Sequence, residues 1–274
     1  MTALEDAAKT VFGASPTAIE TLAGGDISGA SRIAFADGFS CVAKQGPLID
    51  REARMLEAFQ RLDAPSAAVV GTVDDWLFLQ DLGQPRPFSS ATWSALAETM
   101  ASLHGAGAGR KYGWEEDYGL RHIVVQNQPR ESWVEFWRDN RLLCHVPELD
   151  PDLGRRVTAL AERLDDLIPE RPPVSLVHGD LWGGNVLCHR GRILGFIDPA
   201  IYYADAEIEL AFSTLFGTFG DAFFDRYRDH RAIKPGFFEE RLDLYNLYPL
   251  LVHVRLFGGS YVGSVDRTLN RFGC

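Results

Sequence analysis

Val174-Ser175-Leu176-Val177-His178-Gly179-Asp180-Leu181-Trp182-Gly183-Gly184-Asn185-Val186-Leu187-Cys188 runs on through His189-Arg190-Gly191-Arg192 to Ile193-Leu194-Gly195-Phe196-Ile197-Asp198. The apolar runs 174–177, 186–188 and 193–197 have strand length, separated by a polar, glycine-rich loop at 178–185 and a turn at 189–192. The two later strands bring Asn185 and Asp198 to adjacent ends. A lone loop aspartate such as Asp180 ordinarily stabilises its own turn. Its setting here, between strands and followed by a second strand-end carboxylate, favours chemistry.

Upstream of this stretch, residues 21–82 read as strands with one helix. Ile33 and Phe35 alternate with polar residues, 39–44 is a strand, and 69–73 with 76–80 form a hairpin turning at Asp74-Asp75. Met55, Leu56, Phe59 and Leu62 recur at helical spacing over 50–62. Gly83, Pro85 and Pro87 then punctuate the chain, and helices follow. One is capped at Ser89 or Ser90 and carries Trp93, Leu96, Met100 and Leu103; another carries Trp133, Phe136, Trp137 and Leu143. A third starts at Asp150-Pro151, runs through Leu153, Val157, Leu160, Leu164 and Leu167, and ends before Pro169. Residues from 207 onward are helical again, including 242–257. The expected fold is α+β, with two unequal lobes sharing a cleft: a small antiparallel sheet with one helix over 1–83, and a larger, mainly helical lobe over 84–274.

The 274 residues are 46% hydrophobic and 24% charged, a globular balance with a core to bury. Acidic residues outnumber basic ones 38 to 27, for a net charge of −11, which argues against nucleic acid or an anionic membrane as partner. A polyphosphate ligand in such a chain must arrive with a divalent metal and meet a few focused cations or N–H groups. Cys41, Cys144, Cys188 and Cys274 show no paired spacing, so a reduced, cytoplasmic protein is expected. The first twelve residues lack a signal-peptide pattern, no apolar run reaches membrane-spanning length, and the seven histidines lack metal-ligand spacing.

Phosphoryl transfer needs a cation for the phosphates, metal ligands, a carboxylate to orient the nucleophile and a backbone cover. His178-x-Asp180-x4-Asn185 has the spacing of the protein-kinase catalytic loop. In that loop the Asp accepts the hydroxyl proton and the Asn holds magnesium, and Asp198 stands where a second metal carboxylate belongs. Lys44 ends a strand, and Glu52 shares a helix face with Leu56 and Phe59, which turns its carboxylate inward, whereas Glu57 projects elsewhere. An inward Glu wants a cation, and Lys44 is the nearest in sequence. Gly24, Gly25 and Ser28 can cover phosphates with their N–H groups, although Gly-Gly-Asp is also an ordinary turn. His178 is read as holding the loop through the backbone, and Trp182 as an aromatic wall for a substrate.

The loop 178–187, with Ile197-Asp198-Pro199-Ala200-Ile201-Tyr202-Tyr203-Ala204-Asp205 and Glu207-Ile208-Glu209-Leu210-Ala211, resembles the fructosamine kinase family, a branch of the protein-kinase-like aminoglycoside phosphotransferases. Tyr112-Gly113-Trp114, Gln126-Asn127, residues 133–141, Tyr245-Asn246-Leu247-Tyr248 and residues 256–261 extend the likeness. The resemblance implies phosphorylation of a ketosamine sugar hydroxyl by ATP with Mg2+, which favours loss of the glycation adduct. By position it makes Asp180 the base, Asn185 and Asp198 the magnesium ligands, and Lys44 with Glu52 the phosphate-positioning pair. Gln80, Asp81 and Leu82 become the adenine-binding hinge. Asp26 stands where some members carry a cysteine, so redox control through that loop has no support. Two other readings stay open: a kinase of the same fold acting on an aminoglycoside, choline or homoserine, and a nucleotide-binding module without transfer. The sequence leaves the preferred ketosamine and the oligomeric state undetermined.

Overall fold

The computed structural model describes residues 2–22, 29–217 and 219–274. The elements run in the order α1 (Ala3–Phe12), β1 (Ala18–Leu22), β2 (Ala30–Ala34), β3 (Ser40–Gln45), α2 (Ile49–Arg61), β4 (Val69–Val73), β5 (Trp76–Gln80), α3 (Ser90–Gly105), β6 (Tyr118–Leu120) and β7 (Ile123–Val125). They continue with α4 (Trp133–Trp137), α5 (Pro151–Ala161), α6 (Leu164–Leu167), β8 (Val174–Val177), β9 (Val186–His189), β10 (Arg192–Phe196), β11 (Tyr202–Asp205), α7 (Ala206–Leu215), α8 (Asp221–His230), α9 (Leu242–Phe257) and α10 (Val262–Arg271). The chain divides into two compact units, residues 1–96 with 184–200, and residues 97–183 with 201–274.

The first unit is built on an antiparallel sheet in the order β1-β2-β3-β5-β4. Alternation along the strands sends Ile33, Cys41, Ala43 and Phe78 to one face, where Leu4, Ala7 and Ala8 of α1 cover them. Val42, Leu77 and Leu79 face the other way onto Ile49, Ala53 and Leu56 of α2. The sheet therefore lies between two helices, not against the single one expected. The first helix begins with a reciprocal Thr2–Glu5 capping box and ends at Gly13. Lys44 shares the parity of Val42, so the sheet aims it at α2.

The first unit also takes in residues beyond 83, including the hairpin of β9 and β10. Phe196 N–H donates to the Pro65 carbonyl at 3.0 Å, and Ala67 N–H donates to Phe196 at 3.2 Å. Gly195 makes this approach possible: a Cβ there would lie 2.6 Å from Leu82 and 3.0 Å from the Ser66 backbone.

The second unit is mainly helical. Helix α3, which Ser89 caps by accepting the Thr92 N–H at 3.2 Å, starts in the first unit and ends in the second. The expected helix at 133–143 is α-helical only through Trp137, then widens into a π turn at Arg138–Leu142 and tightens into a 3-10 turn at Leu143–Glu148. Likewise the single helix expected over 151–167 is two, α5 and α6. An unanticipated strand, β11, pairs antiparallel with β8 and leads directly into α7. Buried Trp133 donates its indole N–H to Tyr245 at 2.9 Å, and Tyr245 donates to Asp205 at 2.9 Å. Asp205 in turn accepts the Glu207 N–H at the start of α7. Arg141 is fully buried among the rings of Phe136, Tyr202 and Tyr248 at 4.6, 4.3 and 5.0 Å, where their π faces offset its desolvation. Among the described residues no helix is long and apolar enough to cross a membrane.

Burial, reinforced by the neighbouring Glu207 charge, pushes the Asp205 carboxyl up to about 6. The folded protein thus holds this proton more tightly than the unfolded chain. The resulting stabilisation is complete below about pH 4 and is lost as pH rises through about 6. Asp205→Asn is expected to flatten that part of the stability profile, as measured by urea unfolding at a series of pH values.

Candidate active site

In the first unit Lys44, on β3, projects between two carboxylates. Its Nζ lies 2.5 Å from Glu52 Oε1, in the first turn of α2, and 2.7 Å from Asp198 Oδ1, just past β10. Lys44 and Glu52 are each 5% exposed, whereas the Asp198 side chain is 35% exposed. Burial works against the ammonium charge, but the Glu52 and Asp198 carboxylates outweigh it and hold the Lys44 pKa above its ordinary value. Burial pushes the Glu52 carboxyl upward; Lys44 pulls the other way, and Asp198 adds to the upward push. The sequence-derived Lys44–Glu52 pair is thus present, with Asp198 joined to it.

Asp198 sits at φ +54°, a left-handed conformation that side chains other than glycine seldom adopt. The residue before it, Ile197, donates its N–H to the Asn185 carbonyl at 3.1 Å, so the two strand ends do lie together. Asn185 itself is buried. An amide and a partly exposed carboxylate are hard oxygen donors of the kind magnesium takes alongside substrate phosphates and water. Among the described residues no group of three or more His, Cys, Asp or Glu side chains forms a metal cage.

The segment after β5 divides its labour. Leu82 packs with Val42, Val69 and Ile197 against the α2 side of the core. Asp81 is engaged by Arg32 at 2.7 and 3.2 Å, Ser40 at 3.2 Å and the Gly83 N–H at 2.9 Å. Burial would raise its pKa, but Arg32 and the Gly83 N–H hold it below the usual carboxylate range. Its carboxylate is therefore committed within the lobe, whereas Gln80 is exposed. Gly24, Gly25 and Ser28 lie outside the described residues.

In the second unit Asp180 follows β8 on a loop pinned at several points. His178 is fully buried, and its Nδ1 accepts the Asp180 N–H at 3.2 Å, a backbone-holding role. Gly179 takes φ +83°, which its missing Cβ permits, and donates its N–H to Glu209 Oε1 at 2.9 Å. Leu181 is buried, Asp180 is partly accessible, and Trp182 stands 39% exposed, so it is available to a ligand and is no part of the core. Glu209, on α7 and 2% exposed, holds this loop and was not singled out from sequence. The available signal was an acid set in the apolar run Ala206-Glu207-Ile208-Glu209-Leu210-Ala211, the same logic that singled out Glu52.

These parts define a protein-kinase-like phosphotransferase fold. Among solved structures, aminoglycoside phosphotransferase APH(4)-Ia shares it at TM-score 0.67 and 19% identity, with 98% of this chain and 99% of that one covered. The fructosamine kinase family model matches residues 2–272, and the chain belongs to that family. A candidate fructosamine-3-kinase of Thermobifida fusca matches at TM-score 0.87 and 28% identity over 98% of this chain and 97% of its own. A probable ketoamine kinase of Synechocystis sp. is 34% identical over 193 residues, 66% of this chain but 62% of the relative's length. The probable ketoamine kinase YniA of Escherichia coli K12 is 31% identical over 240 residues, 85% of this chain and 80% of that protein.

Lys44→Met would leave Glu52 buried without its cation and facing Asp198. A stability loss of about 3 kcal/mol is expected from urea unfolding. Adding Glu52→Leu is expected to recover much of it, because the cost lies in the unpaired charge.

Proposed function

We propose that the chain transfers the γ-phosphoryl group of ATP, with magnesium, to a sugar hydroxyl of a ketosamine. The observation that carries this reading is the buried Lys44 held by Glu52 and Asp198 in one ion-pair network. A lysine used only for packing needs one carboxylate. Glu52 keeps the Lys44 ammonium in place, and a divalent metal held by the partly exposed Asp198 would offset the second carboxylate.

In this reading Lys44 meets the nucleotide phosphates and Glu52 fixes its position. Asn185 and Asp198 would hold magnesium, which would supply charge neutralisation to the transferring group. The backbone of 80–82 takes the adenine edge, with Gly24, Gly25 and Ser28 covering the phosphates. Asp180 orients the acceptor hydroxyl and takes its proton as the oxygen attacks phosphorus and the bond to the departing diphosphate breaks. The His178 and Glu209 contacts keep the Asp180 backbone from drifting.

Ketosamines, such as fructosamine, ribulosamine or erythrulosamine adducts, are favoured as acceptors by family membership and by the names borne by the relatives in Synechocystis and E. coli. A phosphate placed on the sugar promotes loss of the adduct, so deglycation is the proposed consequence. Trp182 is assigned to the acceptor. The four free cysteines and the net charge of −11 suit a reducing, cytoplasmic setting without nucleic acid or membrane as partner.

A coupled ATP-consumption assay across glycated amines, with an aminoglycoside, choline and homoserine as comparison acceptors, tests the assignment. Turnover is expected on ketosamines, with Asp180→Asn lowering it by about 10²- to 10⁴-fold while nucleotide affinity, read by calorimetry, stays nearly constant. Undiminished turnover in Asp180→Asn would remove Asp180 from the role, and turnover confined to a comparison acceptor would reassign the substrate.

A further inference from the structure

Glu209 is held from two sides. Its Oε1 accepts the Gly179 N–H at 2.9 Å, and its Oε2 lies 3.0 Å from Nε2 of His104, at the end of α3. The other ring nitrogen, Nδ1, is 2.8 Å from the Tyr227 hydroxyl on α8. His104 and Tyr227 are fully buried, and Glu209 nearly so. The backbone around the ring is fixed as well: Arg231 donates to the His104 carbonyl at 3.0 Å and to Ser175 Oγ, on β8, at 3.2 Å. Helices α7 and α8 thus meet the imidazole carried by α3, and Arg231 links the α3 backbone to β8.

One donor order, with a neutral imidazole, satisfies all of these groups. In it Glu209 accepts at both oxygens, so the proton facing it sits on His104 Nε2. Burial keeps the Tyr227 phenol protonated, and a phenol can then donate to the unprotonated Nδ1. Tyr227 O–H to His104, His104 N–H to Glu209 and Gly179 N–H to Glu209 form a chain in which each bond polarises the next. The carboxylate is anchored where it holds Gly179, the residue next to Asp180.

We propose that His104 is a positioning residue of the phosphoryl-transfer site: locked by Tyr227 as the Nε2–H tautomer, it fixes Glu209 and through it the Gly179–Asp180 backbone. This role rests on the phosphotransferase reading for its kinetic consequence, whereas the tautomer and the backbone anchoring stand independently of any substrate.

The test combines both kinds of readout on the full chain. Nitrogen-15 NMR of the His104 ring, assigned through its loss in His104→Gln, is expected to show a protonated Nε2 and a bare Nδ1; a neutral Nδ1–H ring would overturn the proposal. His104→Phe keeps a ring but no donor. It is expected to speed hydrogen exchange at the Gly179 amide and to lower kcat by about 10- to 100-fold, with KM for ATP and acceptor nearly unchanged. His104→Gln, whose amide N–H can reach the place of Nε2–H, is expected to restore most of both. Wild-type Gly179 exchange in folded His104→Phe, or a folded His104→Gln no better than His104→Phe, would overturn it. Should His104→Phe fail to fold, Tyr227→Phe decides: mixed ring tautomers are expected, and a single unchanged tautomer would contradict the lock. Normal NMR and exchange results with no transfer to any acceptor would leave the anchoring intact and count against the phosphotransferase reading instead.

Discussion

Lys44 is shared by two carboxylates, one eight residues along the chain and the other 154 residues away. That single ammonium constrains much of the first unit. It must leave β3 on the α2 side of the sheet, α2 must present Glu52 in its first turn, and the hairpin of β9 and β10 must return far enough for Asp198 to close on it. A buried cation with one partner removed costs far more than the pair contributes when complete, so a change at any one of these three positions is felt at the other two. The left-handed backbone at Asp198 fits the same constraint: the carboxylate is delivered by a conformation the chain would not choose locally.

The second unit meets a comparable demand with buried polar chains. Trp133, Tyr245 and Asp205 set the start of α7, and one turn further on Glu209 takes the Gly179 N–H. The helix that is capped by one network therefore supplies the anchor of the loop bearing Asp180. Helix α7 is buried on every face over Ala206–Ala211. Its two acids point to opposite sides and each is matched to partners: Glu207 to Arg241 at 2.6 Å, and Glu209 to the Gly179 N–H and the His104 ring.

Local pattern made a good part of this legible. The 4- and 7-residue spacing from Glu52 to Leu56 and Phe59 placed that carboxylate inward, and its nearest cation was the right one. The hairpin at Asp74-Asp75 and the strand-loop-strand around Asp180 likewise depend on neighbours in sequence. What escaped depends on tertiary context. The Lys44–Asp198 bond spans most of the chain, β11 is a four-residue strand defined by its pairing with β8, and the π turn after Trp137 answers to the burial of Arg141 among aromatic rings. Glu209 looked like an ordinary helix acid because the groups that require it, Gly179 and His104, lie 30 and 105 residues away. Helix α1 is different: Leu4, Ala7, Ala8 and Val11 have helical spacing, and Thr2 with Glu5 is a capping signal, so that element could have been read.

The reaction proposed for this chain is phosphoryl transfer to a sugar hydroxyl of a ketosamine. Phosphorus-31 NMR of the wild-type protein incubated with ATP, magnesium and a fructosamine or ribulosamine tests that claim most directly. The account predicts a new phosphate monoester on the ketosamine sugar, formed in step with ADP and only when magnesium is present. ATP bound but never transferred, or a phosphate appearing only on an acceptor that is not a ketosamine, would contradict it.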